Sequence, residues 1–124
     1  MPPDELSIEI QPETGTGALV FGLRGSLDIA TAPSLRAALL EAAGQGKREI
    51  VVDLTRVEFI DSTGLGSLIG AHRRAQEEGG SLRLVVNEGP LSRLLAITGL
   101  VRVFSIHATL DDALRETRRA VTQP

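Results

Sequence analysis

The sequence predicts an α/β fold: one small domain with a mixed, mostly parallel sheet of about four or five strands and helices packed mainly on one face. The first observation is the length, since 124 residues correspond to a single domain. The second is an early pair of strand-like segments separated by a glycine-containing turn. The third is that apolar strand-like runs then alternate with amphipathic helical patterns, which is typical of parallel strands joined by right-handed crossovers.

The chain opens with a predicted hairpin. Leu6, Ile8 and Ile10 alternate with polar residues, which indicates a half-buried strand. Residues 12–17 contain two glycines and form the turn, and residues 18–23 form the second strand. The first two strands are therefore expected to be antiparallel neighbours.

The first helix is predicted to begin near Thr31 or Ala32. Pro33 then falls in the first helical turn, where its missing N–H has no cost. Leu35 and Leu39 give this helix its apolar stripe.

The next strand and helix form the centre of the predicted domain. Residues 49–54 are almost continuously apolar, which indicates a strand covered on both faces. After Phe59 and Ile60, a helix is expected to start within 61–64 and to continue to about Glu78. Its buried face is predicted to contain Leu65, Leu68, Ile69, His72 and Ala75.

The last third of the chain predicts two more strand–helix pairs. A strand at 82–86 precedes a short helix that starts at Pro90, and a last strand at 101–106 precedes a helix capped by Thr109. In the short helix, the residues expected to point inward are Leu91, Leu94, Leu95 and Ile97. The whole chain, 1–124, is therefore interpreted as one domain with a core of about 6–115 and short flexible ends.

The composition argues against several classes of function. The chain has no cysteine, which excludes disulfides, thiolate metal sites and cysteine nucleophiles. With three Phe, no Trp or Tyr, and a net charge of -3, it lacks the stacking platforms and basic footprint of nucleic-acid binding. The acidic start does not look like a signal peptide, and no apolar run reaches about 18 residues. We therefore expect a cytoplasmic protein with no cofactor, no metal and no membrane association.

Two segments carry polar residues where predicted parallel strands end, which is where α/β folds gather their ligands and partners. They are Gly25–Asp28 and Phe59–Gly66. In the second segment, Asp61 or Ser62 occupies the cap of the helix, and capping alone would account for its presence. Asp28 likewise either caps the helix near Thr31 or belongs to a functional surface beside Ser62.

The central helix also carries a strip of small residues. Ser62, Gly66 and Gly70 recur every four residues and so lie on one side of the helix, next to Gly64 in its first turn. Glycine inside a helix costs about 0.5–1 kcal/mol relative to alanine, so the cluster calls for an explanation. The strip permits close approach of another backbone, which belongs either to a neighbouring element of the same fold or to a partner.

These segments resemble the STAS domain of bacterial anti-sigma factor antagonists. The resemblance rests on VVDLTRVEFIDSTGLGSLIGAHRRAQEEGG, the following LRLVV and PLSRLLAITGLVRVF, and GSLD at Gly25–Asp28, and it extends from Leu6 to Leu114. It implies that Ser62 accepts phosphate from an anti-sigma factor with serine kinase activity. Thr63, the adjacent hydroxyl, is the competing acceptor.

The resemblance also implies a switch. The unphosphorylated chain would bind the anti-sigma factor and release a sigma factor, phosphate on Ser62 would end that binding, and a phosphatase would reset it. The partner-binding residues implied are Asp28, Asp61, Ser62, Thr63, Gly64, Gly66 and Gly70.

The sequence is also compatible with two other functions. The chain could be a STAS subunit of another assembly, such as a stress-signalling scaffold or a lipid-transport complex. It could also be a small serine hydrolase that uses Ser62 with His72 or His107, although no GxSxG elbow surrounds Ser62. We expect a binding protein with no catalytic residues.

Overall fold

The computed structural model describes residues 5–13 and 15–122 and contains the predicted single α/β domain. In chain order, its elements are β1 (Leu6–Pro12), β2 (Leu19–Leu27), α1 (Ala32–Gly44), β3 (Glu49–Ile60), α2 (Ser62–Glu77), β4 (Ser81–Val85), α3 (Pro90–Ile97), a 3-10 turn (Leu100–Arg102), β5 (Ser105–His107) and α4 (Leu110–Thr122).

One five-stranded sheet organises the fold, with the strands in the order β1-β2-β3-β4-β5. The hairpin is confirmed, since β1 pairs antiparallel with β2, and the remaining neighbours are parallel. Leu27 at the end of β2 aligns with Ile60 at the end of β3. The segments that follow these two strands therefore emerge side by side at one edge of the sheet.

The main hydrophobic core lies between the sheet and helices α1, α2 and α3. Phe21 of β2, Leu35 of α1 and Leu68 of α2 are each 0% exposed within it. On the opposite face, α4 packs Ala113 against Val51 and Val85 in a second, smaller cluster. Three helices on one face and one on the other confirm the predicted arrangement and explain why β3 is apolar on both faces.

Strand β3 is longer than the sequence pattern predicts, because it continues to Ile60 through two irregularities in its pairing with β2. At each one, β3 carries a residue more than β2 between consecutive pairs, as a β-bulge does. As a result Leu54, Val57 and Ile60 all pack on the helix-covered core at a spacing of three. A regular strand would alternate with a period of two, so the sequence pattern conceals this extension.

Two expectations for the chain after β4 are wrong. The sequence pattern predicts a strand at 101–106, but the chain makes a 3-10 turn first and β5 contains only Ser105–His107. Helix α3 buries Leu95, whereas Leu94 is 39% exposed and Ile97 is 83% exposed. Ile97 lies two residues beyond Leu95, which is about 200° around the helix and therefore on the solvent side.

Helix α2 begins in tight contact with the end of β2. The Asp61 amide donates to the Leu27 carbonyl oxygen at 3.2 Å. A Cβ atom on Gly64 would lie 2.3 Å from that same oxygen, so only glycine permits this approach. A Cβ atom on Gly66 or Gly70, by contrast, would meet nothing within 4 Å. Of the three glycines, Gly64 alone is required by the packing of the fold.

No helix among residues 5–13 and 15–122 combines the length and the apolar character that crossing a bilayer requires.

Leu68→Ala should lower the free energy of unfolding by about 2–5 kcal/mol, because it leaves a cavity where a side chain is 0% exposed. Urea denaturation followed by circular dichroism measures this loss. Leu40→Ala on α1 is the control, since Leu40 is 46% exposed and its truncation should cost less than about 1 kcal/mol. Equal losses in the two variants would contradict the burial of α2.

The three glycines of α2 should respond differently to alanine. Gly64→Ala should destabilise the fold by about 1–3 kcal/mol, because the added methyl overlaps the Leu27 carbonyl. Gly66→Ala and Gly70→Ala should be neutral or stabilising by up to about 1 kcal/mol, because they gain helix propensity in open space. Thermal melts of the three variants test this order, and a stable Gly64→Ala would rule out the close approach.

Candidate functional site

The structure brings together the two polar segments at the ends of β2 and β3, and the Asp61 carboxylate joins them. One carboxylate oxygen, Oδ1, accepts from the Gly64 amide at 2.8 Å and caps α2. The other, Oδ2, accepts from the Ile29 amide at 3.0 Å, across 32 residues of sequence. Asp61, and not Ser62, is therefore the cap, and it also bridges the turn after β2 to the start of α2.

Asp28 shapes the turn that precedes α1. Its Oδ1 accepts from the Ala30 amide at 2.9 Å and the Thr31 amide at 3.1 Å. The Thr31 hydroxyl completes the turn by donating to the Ser26 carbonyl oxygen at 2.7 Å. Asp28 thus holds the turn before α1 and does not cap the helix itself, whose N-cap residue is Thr31 without a side-chain cap bond. Because the Asp28 side chain is only half-buried, part of it is also accessible to a partner.

Ser62 and Thr63 are the first residues of α2 after the cap, and both are exposed. Among the described residues, the Ser62 hydroxyl has no hydrogen-bond partner, so it is available to an approaching molecule. The amino end of a helix carries a partial positive charge that stabilises an anion placed there. Ser62 is therefore an accessible hydroxyl at a position where an added phosphate is compatible with the helix.

The small-residue strip continues from Ser62 along α2 on the solvent side. Gly66 and Gly70 are exposed, and no described residue packs against them. The alternative that these two glycines pack on a neighbouring element of the same fold is therefore wrong. Gly64, in contrast, is buried and serves the contact with β2.

Two exposed apolar side chains at this edge are surface features that the sequence patterns do not predict. Ile29 follows β2 and is 72% exposed, and Phe59 near the end of β3 is 54% exposed. Ile29 lies between a strand and a helix, where no hydrophobic periodicity applies. The only signal for it in the sequence is an isoleucine within an otherwise small and polar segment, DIATA.

The hydrolase alternative lacks its histidine. His72 lies ten residues beyond Ser62 on α2, about 15 Å along the helix axis, and its ring packs edge-on against Phe104 at 5.5 Å. His107 lies on β5, separated from β3 by β4, and its ring is 3.0 Å from the Ser105 hydroxyl. Burial, and secondarily Arg83, lowers the pKa of His107. Neither imidazole is placed to activate Ser62.

A metal site is not formed either by the part of the chain that is described, in which no three His, Asp or Glu side chains converge on one point. The edge of the sheet therefore offers an exposed hydroxyl, an acidic surface, small residues and two apolar side chains. Such features are typical of protein-binding surfaces, and an exposed hydroxyl is accessible to modification.

Comparison with known proteins agrees with this geometry. The family model of the STAS domain matches residues 7–113. The anti-sigma-B factor antagonist of Bacillus subtilis is 33% identical over 110 residues, which cover 89% of this chain and 100% of that protein.

Solved structures are similar over the same length. The crystal structure of an anti-sigma factor antagonist from Mycobacterium paratuberculosis superposes with a TM-score of 0.84 at 30% identity and covers 94% of this chain and 97% of that one. The Bacillus cell fate determinant SpoIIAA in its phosphorylated form gives a TM-score of 0.70 at 27% identity, with coverage of 90% and 100%. On the evidence of its motif, its fold and these matches, the chain belongs to the STAS domain family.

Proposed function

We propose that this protein is an anti-sigma factor antagonist controlled by phosphorylation of Ser62. The observation that carries the proposal is the exposed Ser62 hydroxyl at the amino end of α2, next to a turn held by Asp61. The names of its relatives support it, since they are anti-sigma factor antagonists. The similarity to SpoIIAA, whose structure has been solved in a phosphorylated form, supports the choice of a covalent switch.

In this proposal, the unphosphorylated protein binds an anti-sigma factor that has serine kinase activity, and a sigma factor is released. The kinase then transfers phosphate to Ser62, the complex dissociates, and a phosphatase restores the hydroxyl. The protein itself acts in the cytoplasm by binding, without catalysis, cofactor, nucleic acid or membrane.

The physical basis of the switch is charge at a surface that keeps its shape. A phosphoserine carries a charge of about −1.5 to −2 at neutral pH. The amino end of α2 tolerates that charge, so the domain does not need to refold. A phosphate is larger than the hydroxyl that it replaces, and its charge must be desolvated when a partner covers the site. Phosphorylation therefore weakens binding through the interface alone.

Ser62→Ala and Ser62→Asp should separate binding from switching. Ser62→Ala should bind the anti-sigma factor like the wild type and remain bound in the presence of ATP, because it has no acceptor hydroxyl. Ser62→Asp should bind at least about tenfold more weakly, which is 1.4 kcal/mol, because it places a fixed charge at the interface. Isothermal titration calorimetry measures both affinities.

Thr63→Ala is the matched control, since Thr63 is also exposed and lies on the same helical turn. It should retain phosphorylation, with the phosphate mapped to Ser62 by peptide mass spectrometry. Phosphate on Thr63 in the wild type would move the acceptor by one residue. Equal affinities of Ser62→Asp and the wild type would contradict the switch.

Asp28→Asn should weaken the complex by about tenfold while leaving the melting temperature unchanged. The asparagine Oδ1 can still accept from the Ala30 and Thr31 amides, so the turn survives, but the negative charge offered to the partner is lost. Asp28→Ala removes both and should also lower the melting temperature. An Asp28→Asn variant with wild-type affinity would show that Asp28 serves only the turn.

A further inference from the structure

The turn between β2 and α1 exposes the apolar side chain of Ile29, and hydrogen bonds hold the backbone of this turn in place. Ile29 is 72% exposed, yet its amide donates to the Asp61 carboxylate at 3.0 Å. The residue before it, Asp28, accepts from two amides of the same turn, and Leu27 before that accepts from the Asp61 amide. Ile29 is thus an exposed side chain on a well-anchored backbone.

The polar groups around Ile29 are largely satisfied within the protein. Both carboxylate oxygens of Asp61 accept backbone hydrogen bonds, and the Thr31 hydroxyl donates to the Ser26 carbonyl. Thr31 and Ser26 are also buried. The Ile29 side chain is therefore the group that this turn presents to another molecule. The carboxylates of Asp28 and Asp61 beside it are already held by hydrogen bonds within the protein.

We propose that Asp61 is a positioning residue that holds Ile29 as an apolar anchor for the anti-sigma factor. The anchor would enter an apolar pocket of that partner next to the site where Ser62 is modified. This inference rests on the proposed function and assigns Asp61 a role different from direct contact with the partner. The Asp61 side chain orients the surface and leaves the contact to its neighbours.

The bridge also ties the anchor to the modification site. Asp61 directly precedes Ser62, and the carboxylate that caps α2 is the one that holds Ile29. A partner that binds Ile29 therefore finds the Ser62 hydroxyl at a set distance and orientation. Rigid presentation lowers the entropy lost on binding, so the bridge favours formation of the complex more than the chemical step within it.

The test uses the full chain and the anti-sigma kinase, with dissociation constants from calorimetry and steady-state kinetics of Ser62 phosphorylation. Ile29→Ser should raise KM for the phosphorylation and the dissociation constant by at least about tenfold, with kcat within about twofold. Ile29→Leu keeps the apolar side chain and should restore most of the affinity. Ile97→Ser is the matched control, because Ile97 is 83% exposed on α3, and it should behave like the wild type.

Asp61→Ser tests the positioning role. A serine still caps α2 by accepting from the Gly64 amide, but its single oxygen is too short to bridge to Ile29 as well. The variant should remain folded, lose hydrogen-exchange protection at the Ile29 amide, and raise KM about as much as Ile29→Ser does. Ile29→Ser itself should keep that protection, because its backbone bond to Asp61 is unchanged.

Each outcome has a distinct meaning. If the kinase binds and phosphorylates the wild type but Ile29→Ser matches it, the anchor is wrong and the proposed function stands. If Ile29→Ser weakens binding while Asp61→Ser loses the amide protection without any rise in KM, the positioning role is wrong. If the wild type binds no anti-sigma factor, the proposed function fails and the anchor fails with it.

Discussion

The close approach of helix α2 to the end of strand β2 is the constraint on which the rest of the site depends. The absence of a side chain at Gly64 allows the first turn of α2 to lie against the Leu27 carbonyl. That contact places the Asp61 carboxylate within hydrogen-bond distance of both the Gly64 and the Ile29 amides. Parallel pairing of β2 and β3 brings the segments that follow them to the same edge of the sheet. The Asp61 hydrogen bonds then join these two segments into one surface. Any side chain at position 64 would push them apart.

This construction suits a surface that is regulated by charge. The backbone groups at the edge are satisfied by Asp28, Asp61 and Thr31, so the site does not rely on a partner to complete its own structure. A hydroxyl at the start of a well-capped helix can gain a phosphate without the loss of any of these bonds. In the proposed switch, the added charge affects the molecule that docks there, so a small domain can change partners while it keeps its fold.

The coverage of the sheet and the bulges in β3 also contribute to the position of the site. Three helices cover one face and α4 covers part of the other, whereas Ile29, Ser62 and Thr63 at the carboxyl edge between β2 and β3 are exposed. The two bulges in β3 turn Leu54, Val57 and Ile60 toward the helix-covered core. Because each bulge adds a residue to β3 that has no counterpart in β2, Ile60 aligns with Leu27 and Asp61 lies level with the turn after β2. Irregular pairing beside a functional edge is a recurrent use of β-bulges.

The sequence by itself determined the elements whose patterns are local. The hairpin, the strand at 49–54, the capped start of α2 and the Thr109 cap of α4 all follow from alternation, helical periodicity or capping chemistry, which act over a few residues. The D-S-T-G motif likewise identified the segment that carries the site. Tertiary structure alone decided which neighbour each side chain meets. It assigned Gly64 to internal packing and left Gly66 and Gly70 open, although the three look alike in the sequence. It extended β3 through bulges, placed Ile97 in solvent, and joined Asp61 to Ile29 across 32 residues. Those outcomes depend on contacts between distant segments, and periodicity within one segment carries no information about them.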